Sequence, residues 1–424
     1  MKKILLFVLV CAMHLFAAPD ATVEIVKRPD RLPVIQVQDA SDSGVSSKLR
    51  NNLFKLLIAD LKITTYYDVN EVYGISGLDD SGRAGYGIDA KSDLVLRYQI
   101  AEQMDDSIVA TTKLFNAKSG ALLSQRSFKI SKASHYPFMS HSVVMNVVKD
   151  TKQEPVDWMD KYIIFARSVG PNQSEIVIAD YTLTFQQTIV KGGLNIFPKW
   201  ADKGQNNFYY TNINNKKPVV YKVSLMSGQR EELISGNGML VVSDVSSDGS
   251  KLLLTMSPND QPDIYMYDLA TRQLNKITNY RGVDVSGSFV DNDSRVVFVS
   301  DRLGYPNIFS TKIGSDLVEQ MVYVGRNNNS ASAHKHYIVY SGRDKASEFG
   351  ESTFNLYLIS TQTDYIRQLT ATGKNMFPRF SHDGGSVMFI KEYARESALG
   401  IIRLGTNKSF HFPINVGKIQ SLDW

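Results

Sequence analysis

Apolar residues follow two different rhythms along this chain. Val23 and Ile25, then Val34, Ile35 and Val37, mark two short strand candidates. Asp42-Ser43 is placed to cap a helix whose Val45, Leu49, Leu53, Leu56, Leu57 and Leu61 recur at spacings of three and four. Ile63 to Tyr67 returns to β-branched and aromatic residues and reads as a strand. Three runs follow, at Leu94 to Tyr98, Ile108 to Thr112 and Leu122 to Ile130. The turns between them are Asp105-Asp106 and Lys118-Ser119-Gly120, which predicts an antiparallel meander. A second helix is expected from about Phe138 to Lys149, with Met139, Val143, Val144 and Val147 on one side. Strands with two helices over one face make a small α/β domain with a mixed sheet, assigned to residues 19–150. The stretch 151–160, with Pro155, reads as the linker.

After residue 160 the pattern repeats. Phe165, Tyr210, Leu254, Phe298, Tyr340 and Phe389 fall at equivalent strand positions, 45, 44, 44, 42 and 49 residues apart. Hairpin signatures precede several of them: Pro198 to Gly204, Asp244 to Gly249, and Pro378 to Gly384. In these, Asp-Gly supplies the turn because Gly tolerates positive φ. The following strands carry Ile176-Val177, Val220-Tyr221, Ile264-Tyr265, Ile308-Phe309 and Leu356-Tyr357, and the last copy degenerates to Leu399-Gly400. A period of 40–50 residues with about four strands per copy is the pattern of a propeller blade, so residues 161–424 are expected to form a six-bladed β-propeller. The first copy lacks a Pro-x-aromatic strand. Ile419 to Trp424 matches Asn195 to Trp200 in length and in its final Trp, so the C-terminal strand is expected to complete the first blade and close the ring.

Lys2-Lys3 and the apolar run from Ile4 to Val10, continuing to Ala17-Ala18, read as a secretory signal peptide over residues 1–18. The run is shorter than the ~20 residues needed to span a bilayer. No later segment reaches that length, so a soluble, exported product without a membrane span is expected. The cysteine count is one, Cys11, inside that segment. A disulfide framework and a Cys-based zinc site are therefore excluded. With 47 Lys plus Arg against 43 Asp plus Glu, the formal charge is +4, and Lys2 and Lys3 account for two of it. That is too little for a nucleic-acid binder, which needs a concentrated basic face.

Candidate chemistry is sparse. Gly74 to Gly87 invites a phosphate-loop reading, but it lacks the Gly-Lys-Ser/Thr ending and no strand is expected to feed it, so a mobile surface loop is expected. There is no Gly-x-Ser-x-Gly pentad and no His-Glu-x-x-His. His334-x-His336 is the close histidine pair, and without a nearby carboxylate both read as hairpin residues. Glu351, Glu392 and Glu396 sit in the irregular fifth and sixth copies, where their spacing in space is open. Aromatic residues fall mainly at strand positions that pack blade on blade. No catalytic residue, metal site or cofactor is assigned. The alternatives to a binding protein are an exported propeller enzyme, a peptidase or a glycan hydrolase or lyase, and a lectin-like binder.

The leader, the small α/β domain and the propeller with its Pro-x-aromatic-Ser-x-Asp-Gly hairpins together resemble the TolB family, the periplasmic component of the Tol–Pal system. Ser134-His135, His141, Val148, Asp157 and Tyr162 to Ser168 look like that family's domain junction. Val245 and Phe289 stand where the family usually has Trp, and Ala331 to His336 has lost the Asp-Gly turn. The resemblance implies a non-enzymatic adaptor, a monomer in isolation, serving envelope integrity, cell division and protein import. It would bind Pal, a peptidoglycan-gripping lipoprotein, through one end of the propeller. It would bind TolA, an inner-membrane protein, through its mature N-terminal segment. Carried onto this chain, the TolA segment is Pro19, Asp20, Ala21, Thr22, Val23, Glu24, Ile25 and Val26. Its alternation suits addition to a partner's sheet edge and equally suits pairing within its own domain. The Pal-facing loops are those leading into each first strand: Asn195-Ile196, Met239-Leu240, Asp284-Val285, Asn327-Asn328 and Asn375-Met376. Met and Ile amid Asn would give an interface core with a polar rim, although plain loop composition reads the same way.

Overall fold

The computed structural model describes residues 31–424 except Tyr86, 215–216, 345–352, Arg395 and Val416, and for Asn214 and Arg326 the backbone alone. The expected leader 1–18, the segment Pro19–Val26 and the strand at Val23 to Ile25 lie outside the described residues.

Up to Asp150 the chain builds one five-stranded sheet in the order β2-β1-β3-β4-β5, from β1 (Val34–Asp39), β2 (Asp68–Ile75), β3 (Leu94–Glu102), β4 (Ile108–Asn116) and β5 (Leu122–Ile130). β1 runs parallel to β2 and β3, whereas β3, β4 and β5 form the antiparallel meander, so the sheet is mixed. Two helices, α1 (Ser47–Thr64) and α2 (Tyr136–Asp150), cover one face. Their stripes Leu49, Leu53, Leu57, Leu61 and Met139, Val143, Val144, Val147 join Leu96, Tyr98 and Ile100 in one core.

Three local expectations are corrected. The helix starts after Ser46, because the Asp42 carbonyl accepts the Val45 N–H and spends Asp42 to Gly44 on a turn. Ile63 and Thr64 finish that helix and are no strand. The stripe still buries them, and Thr64 Oγ1 donates back to Leu61 O, until left-handed Thr65 (φ 64°) stops the turn. β2, whose side chains are mostly exposed, then runs straight into the glycine-rich stretch, so a strand does feed it. That stretch is pinned to the sheet. Buried Arg97 donates from Nε to Gln38 Oε1 (2.9 Å) and from Nη2 to Ser81 O (2.7 Å), and a Cβ on Gly82 would meet the Phe115 ring at 2.4 Å.

The segment beyond α2 is not slack. Val156, Trp158 and Met159 are buried in the same core as the helices. Then come β6 (Ile163–Gly170), β7 (Gln173–Ala179) and β8 (Gln186–Val190), with β29 (Lys418–Asp423) hydrogen-bonded to β6, where Leu422 faces Phe165. Three further four-stranded sheets follow. They are β9 (Leu194–Trp200) to β12 (Arg230–Ser235), β13 (Leu240–Val245) to β16 (Leu274–Lys276), and β17 (Asp284–Val290) to β20 (Val318–Gln320). Their middle strands are β10 (Asn207–Asn214), β11 (Lys217–Ser224), β14 (Lys251–Met256), β15 (Asp263–Asp268), β18 (Arg295–Ser300) and β19 (Asn307–Lys312). β21 (Arg326–His334), β22 (Tyr337–Arg343), β23 (Phe354–Ser360) and β24 (Ile366–Gln368) make another group. The Phe354–Lys374 bridge pairs it with β25 (Lys374–Phe380), which continues into β26 (Ser386–Glu392), β27 (Ser397–Arg403) and β28 (Lys408–Pro413), and Val339, Leu356 and Leu358 pack against Phe380, Val387 and Phe389 across the join. Phe165, Tyr210, Leu254, Phe298, Tyr340 and Phe389 are all buried in the second strands.

The hairpins solve their turns unequally. Gly249 and Gly384 take positive φ as the Asp-Gly signature requires, but in the first hairpin Gln205 (φ 58°) and not Gly204 does so, and Lys335 (φ 54°) serves where Asp-Gly is lost.

Candidate functional site at the leading face

The loops that lead into the first strands gather at one end of the β region. The polar residues expected on them lie instead in the opening residues of β9, β17, β21 and β25, and prove to be fasteners. Asn195 is fully buried: its Nδ2 donates to Ser174 O and Gly192 O (both 2.9 Å), and its N–H to Ser174 Oγ (2.8 Å). Asn375 Nδ2 reaches Phe354 O (2.8 Å) and Thr372 O (3.0 Å), and Asn328 Nδ2 reaches Asn307 Oδ1 (3.0 Å) and Val324 O (3.1 Å). Asp284 accepts both contacts from Arg302 Nη2 (3.2 Å), while its own N–H goes to Pro262 O (3.0 Å). Burial pushes the Asp284 carboxyl up, against Ser300 and Arg302, which hold it down. Asn195, Asn328 and Asn375 tie the start of a first strand to the sheet before it through their buried amides, and Asp284 does so through its own N–H while Arg302, just after β18 of its own sheet, holds the carboxylate.

Asn195, Leu240, Asp284, Asn328 and Asn375 therefore have no free surface to offer, which corrects the picture of exposed residues ringed by Asn. Ile196, Val285, Asn327 and Met376 are half-buried, and Met239 is exposed. What the face does expose is a strip that the sequence reading missed: Val283, Leu303, Tyr323 (79% exposed) and Val324 (58%), beside Met239. The Val283 N–H donates to Asp301 Oδ1 (2.8 Å), the Asp301 N–H to Val283 O (3.2 Å) and the Asn328 N–H to Pro306 O (2.9 Å), so the loops holding Val283, Leu303 and Val324 are stitched together. The available signal was an apolar residue stranded among Gly, Asp and Arg, where no core period accounts for it.

Behind this face the first strands line a cavity of about 670 Å³ that opens among the hairpins. Lys199 Nζ lies 2.8 Å from Asp423 Oδ1 and 3.2 Å from Asp244 Oδ1, and Arg379 Nε lies 3.6 Å from Asp423. Asp423 Oδ2 also accepts the Trp200 N–H (2.9 Å), and Asp244 Oδ2 accepts Phe289 N–H (2.9 Å) and the Ser288 hydroxyl (2.8 Å). Burial alone would lower the Lys199 ammonium, but Asp423 and Asp244 hold it above its ordinary range. Phe197 and Phe377 take positive φ (51° and 52°), a strained state for a bulky residue, in the strands flanking β29.

The histidines here are quiet. His334 is half-buried and His382 exposed; burial first, then the nearby lysines 335 and 203 respectively, lower both. Among the described residues no helix is long and apolar enough to cross a membrane.

Residues 159–424 match the family described as the TolB beta propeller domain. Over its full length the chain is 44% identical to the Tol-Pal system protein TolB of Wolinella succinogenes, covering 100% of both. It is 43% identical to that of Campylobacter jejuni strain RM1221 and 40% to that of Helicobacter pylori strain J99, again covering 100% of each chain. In fold it is similar to the crystal structure of TolB from Acinetobacter baumannii, with a TM-score of 0.74 at 21% identity, covering 93% of this chain and 97% of that one. An N-terminal α/β domain followed by a β-propeller, matched along its whole length at such identities, has one family to which it answers: this chain belongs to the TolB family of the Tol–Pal system.

Proposed function

We propose that this protein is a non-enzymatic periplasmic adaptor whose leading face binds a Pal-like lipoprotein. The observation that carries the reading is the exposed apolar strip of Met239, Val283, Leu303, Tyr323 and Val324. It stands on loops whose buried Asn and Asp side chains are already fastened to the frame. A rigid frame with unspent apolar surface binds at small ordering cost, and aromatic and aliphatic anchors supply most of the binding energy of an interface. Ile196, Val285, Asn327 and Met376 border the strip, and the buried members of the expected set hold it in shape.

The frame is read as a six-bladed propeller spanning residues 161–424. Contacts between successive first strands, β9-β13-β17-β21-β25-β29 and back to β9, support a closed ring. So does the pairing of β29 with β6. The leader 1–18 is read as a signal peptide, 19–150 as the N-terminal domain and 151–160 as the linker, anchored by buried Val156, Trp158 and Met159. Residues Pro19–Val26 are assigned to capture by a TolA-like inner-membrane protein. The two contacts together would serve outer-membrane integrity and constriction at division.

The test is retention of the soluble domain of a Pal-like lipoprotein from envelope extract, with the wild-type chain beside Val283→Asp and Tyr323→Asp. Retention by the wild type and its loss in both variants, with unchanged melting temperatures, bears the proposal out. Equal retention by all three moves the site off this face. Turnover of peptides or glycans without such a partner overturns the adaptor reading.

A further inference from the structure

The helical domain and the first sheet of the β region meet on a group of fully buried ionisable side chains. Asp60 comes from α1, Ser140 and His141 from α2, and Asp180 and Tyr181 from the turn after β7. His141 Nδ1 lies 2.8 Å from Asp60 Oδ2, and His141 Nε2 lies 3.3 Å from Asp180 Oδ2. A neutral imidazole can donate from one nitrogen alone, so two carboxylates are satisfied together by the charged ring, which donates from both. Ser140 Oγ donates to the same Asp60 oxygen (2.7 Å), and the Tyr181 hydroxyl donates to the other. Asp180 also accepts the N–H groups of Thr182 (2.9 Å) and Phe185 (2.6 Å). The further titratable groups that feel this cluster are Asp160 and Tyr136.

Burial on its own would strip His141 of its proton. The field of Asp60, and then its hydrogen bonds to Asp180 and Asp60, reverse that and lift it to about 9. Two desolvated carboxylates from different domains would otherwise face each other with no cation between them, a costly arrangement. The aromatic packing extends the joint. Tyr181 lies 4.6 Å from the His141 ring and 5.2 Å from Trp158, which lies 5.2 Å from Trp424, the last residue.

We propose that charged His141 is the lock of the domain joint. While it bridges Asp60 and Asp180, the helical domain and the β region unfold and move as one body. Removing its proton, or the charge of Asp180, leaves two separately cooperative bodies. This lock does not depend on which partner the leading face takes.

Calorimetry and hydrogen exchange on the protein at about pH 7 and about pH 10 test it. The wild type should show one transition at the lower pH and two at the higher. Asp180→Asn should show two at both. Seam amides of α2 and of the turn after β7 should then exchange about a hundredfold faster, the factor that matches about 3 kcal/mol, while β14 and β18 are unchanged. The triple variant Asp60→Asn, His141→Gln, Asp180→Asn replaces the ions by neutral hydrogen-bonding groups, and should restore one transition at both values. A single transition for Asp180→Asn at the lower pH, seam exchange equal to wild type, or an alkaline response unchanged in the triple variant would each overturn the lock.

Discussion

The leading face and the domain seam both bury polar side chains, yet they leave opposite remainders. At the seam the buried charges of Asp60, His141 and Asp180 answer one another within the chain, and the apolar surface is consumed as well: the stripes of α1 and α2 continue without a break into Phe165, Tyr181, Ile419 and Leu422. At the leading face the side-chain amides of Asn195, Asn328 and Asn375 again donate within the chain, but Tyr323, Val324 and Leu303 are left in water. The difference teaches where to look for function in a binding protein. Satisfied buried polar groups mark the frame, and leftover apolar side chains held by such a frame mark the surface that can still gain by association.

The strongest way to break the contrast is to remove the C-terminal strand β29. Deleting Lys418 to Trp424 takes away a strand of the first sheet, the Ile419 and Leu422 core side chains and the carboxylate that holds Lys199 and Arg379. A loss of about 5 kcal/mol or more is expected, read by urea unfolding. An unchanged midpoint would show that β29 contributes nothing to closure. Asp423→Asn comes next, at about 3–5 kcal/mol, because it leaves two cations around a lost partner in the cavity. Asn375→Ala should cost about 1–3 kcal/mol by leaving Phe354 O and Thr372 O without their donor. If Asn375 were instead a surface contact, that variant would lose partner affinity with no change in melting.

The smallest stability effect is expected at the strip itself. Tyr323→Ser should change unfolding by less than about 0.5 kcal/mol while weakening binding of a Pal-like domain about tenfold or more, as measured by calorimetric titration. A pH series sharpens the seam half of the comparison. The His141 pKa is raised in the folded chain, so its contribution is fully present below about 6.5, declines as pH rises, and is gone above about 9. His141→Gln should flatten the stability profile across that window. A profile with the wild-type slope would place the titration elsewhere.

Much of the architecture was legible beforehand, because period and turn chemistry are local. The stripe Leu49, Leu53, Leu57, Leu61 announces a helix wherever it lies, and the 42–49-residue recurrence of Phe165 to Phe389 announces stacked sheets. Local signals misled at element ends. Ile63 and Thr64 have strand-forming side chains, but burial against the sheet kept them helical, and Gln205 took the left-handed turn position beside an available glycine. The leading-face residues show the limit most clearly. The position in the chain placed Asn195, Asp284 and Asn375 at the starts of the first strands, yet whether an Asn faces water or the neighbouring sheet depends on a partner such as Ser174 or Phe354 about twenty residues away.

By itself the sequence determined the elements, the repeat and the family, since each rests on spacing or on motifs that a chain carries whether folded or not. The tertiary structure alone decided that Asn and Asp are fasteners, that Tyr323 and Val324 stay in water, and that His141 sits between two acids from different domains. Burial and charge pairing are properties of groups brought together from distant positions, and no local pattern encodes which group will arrive opposite which.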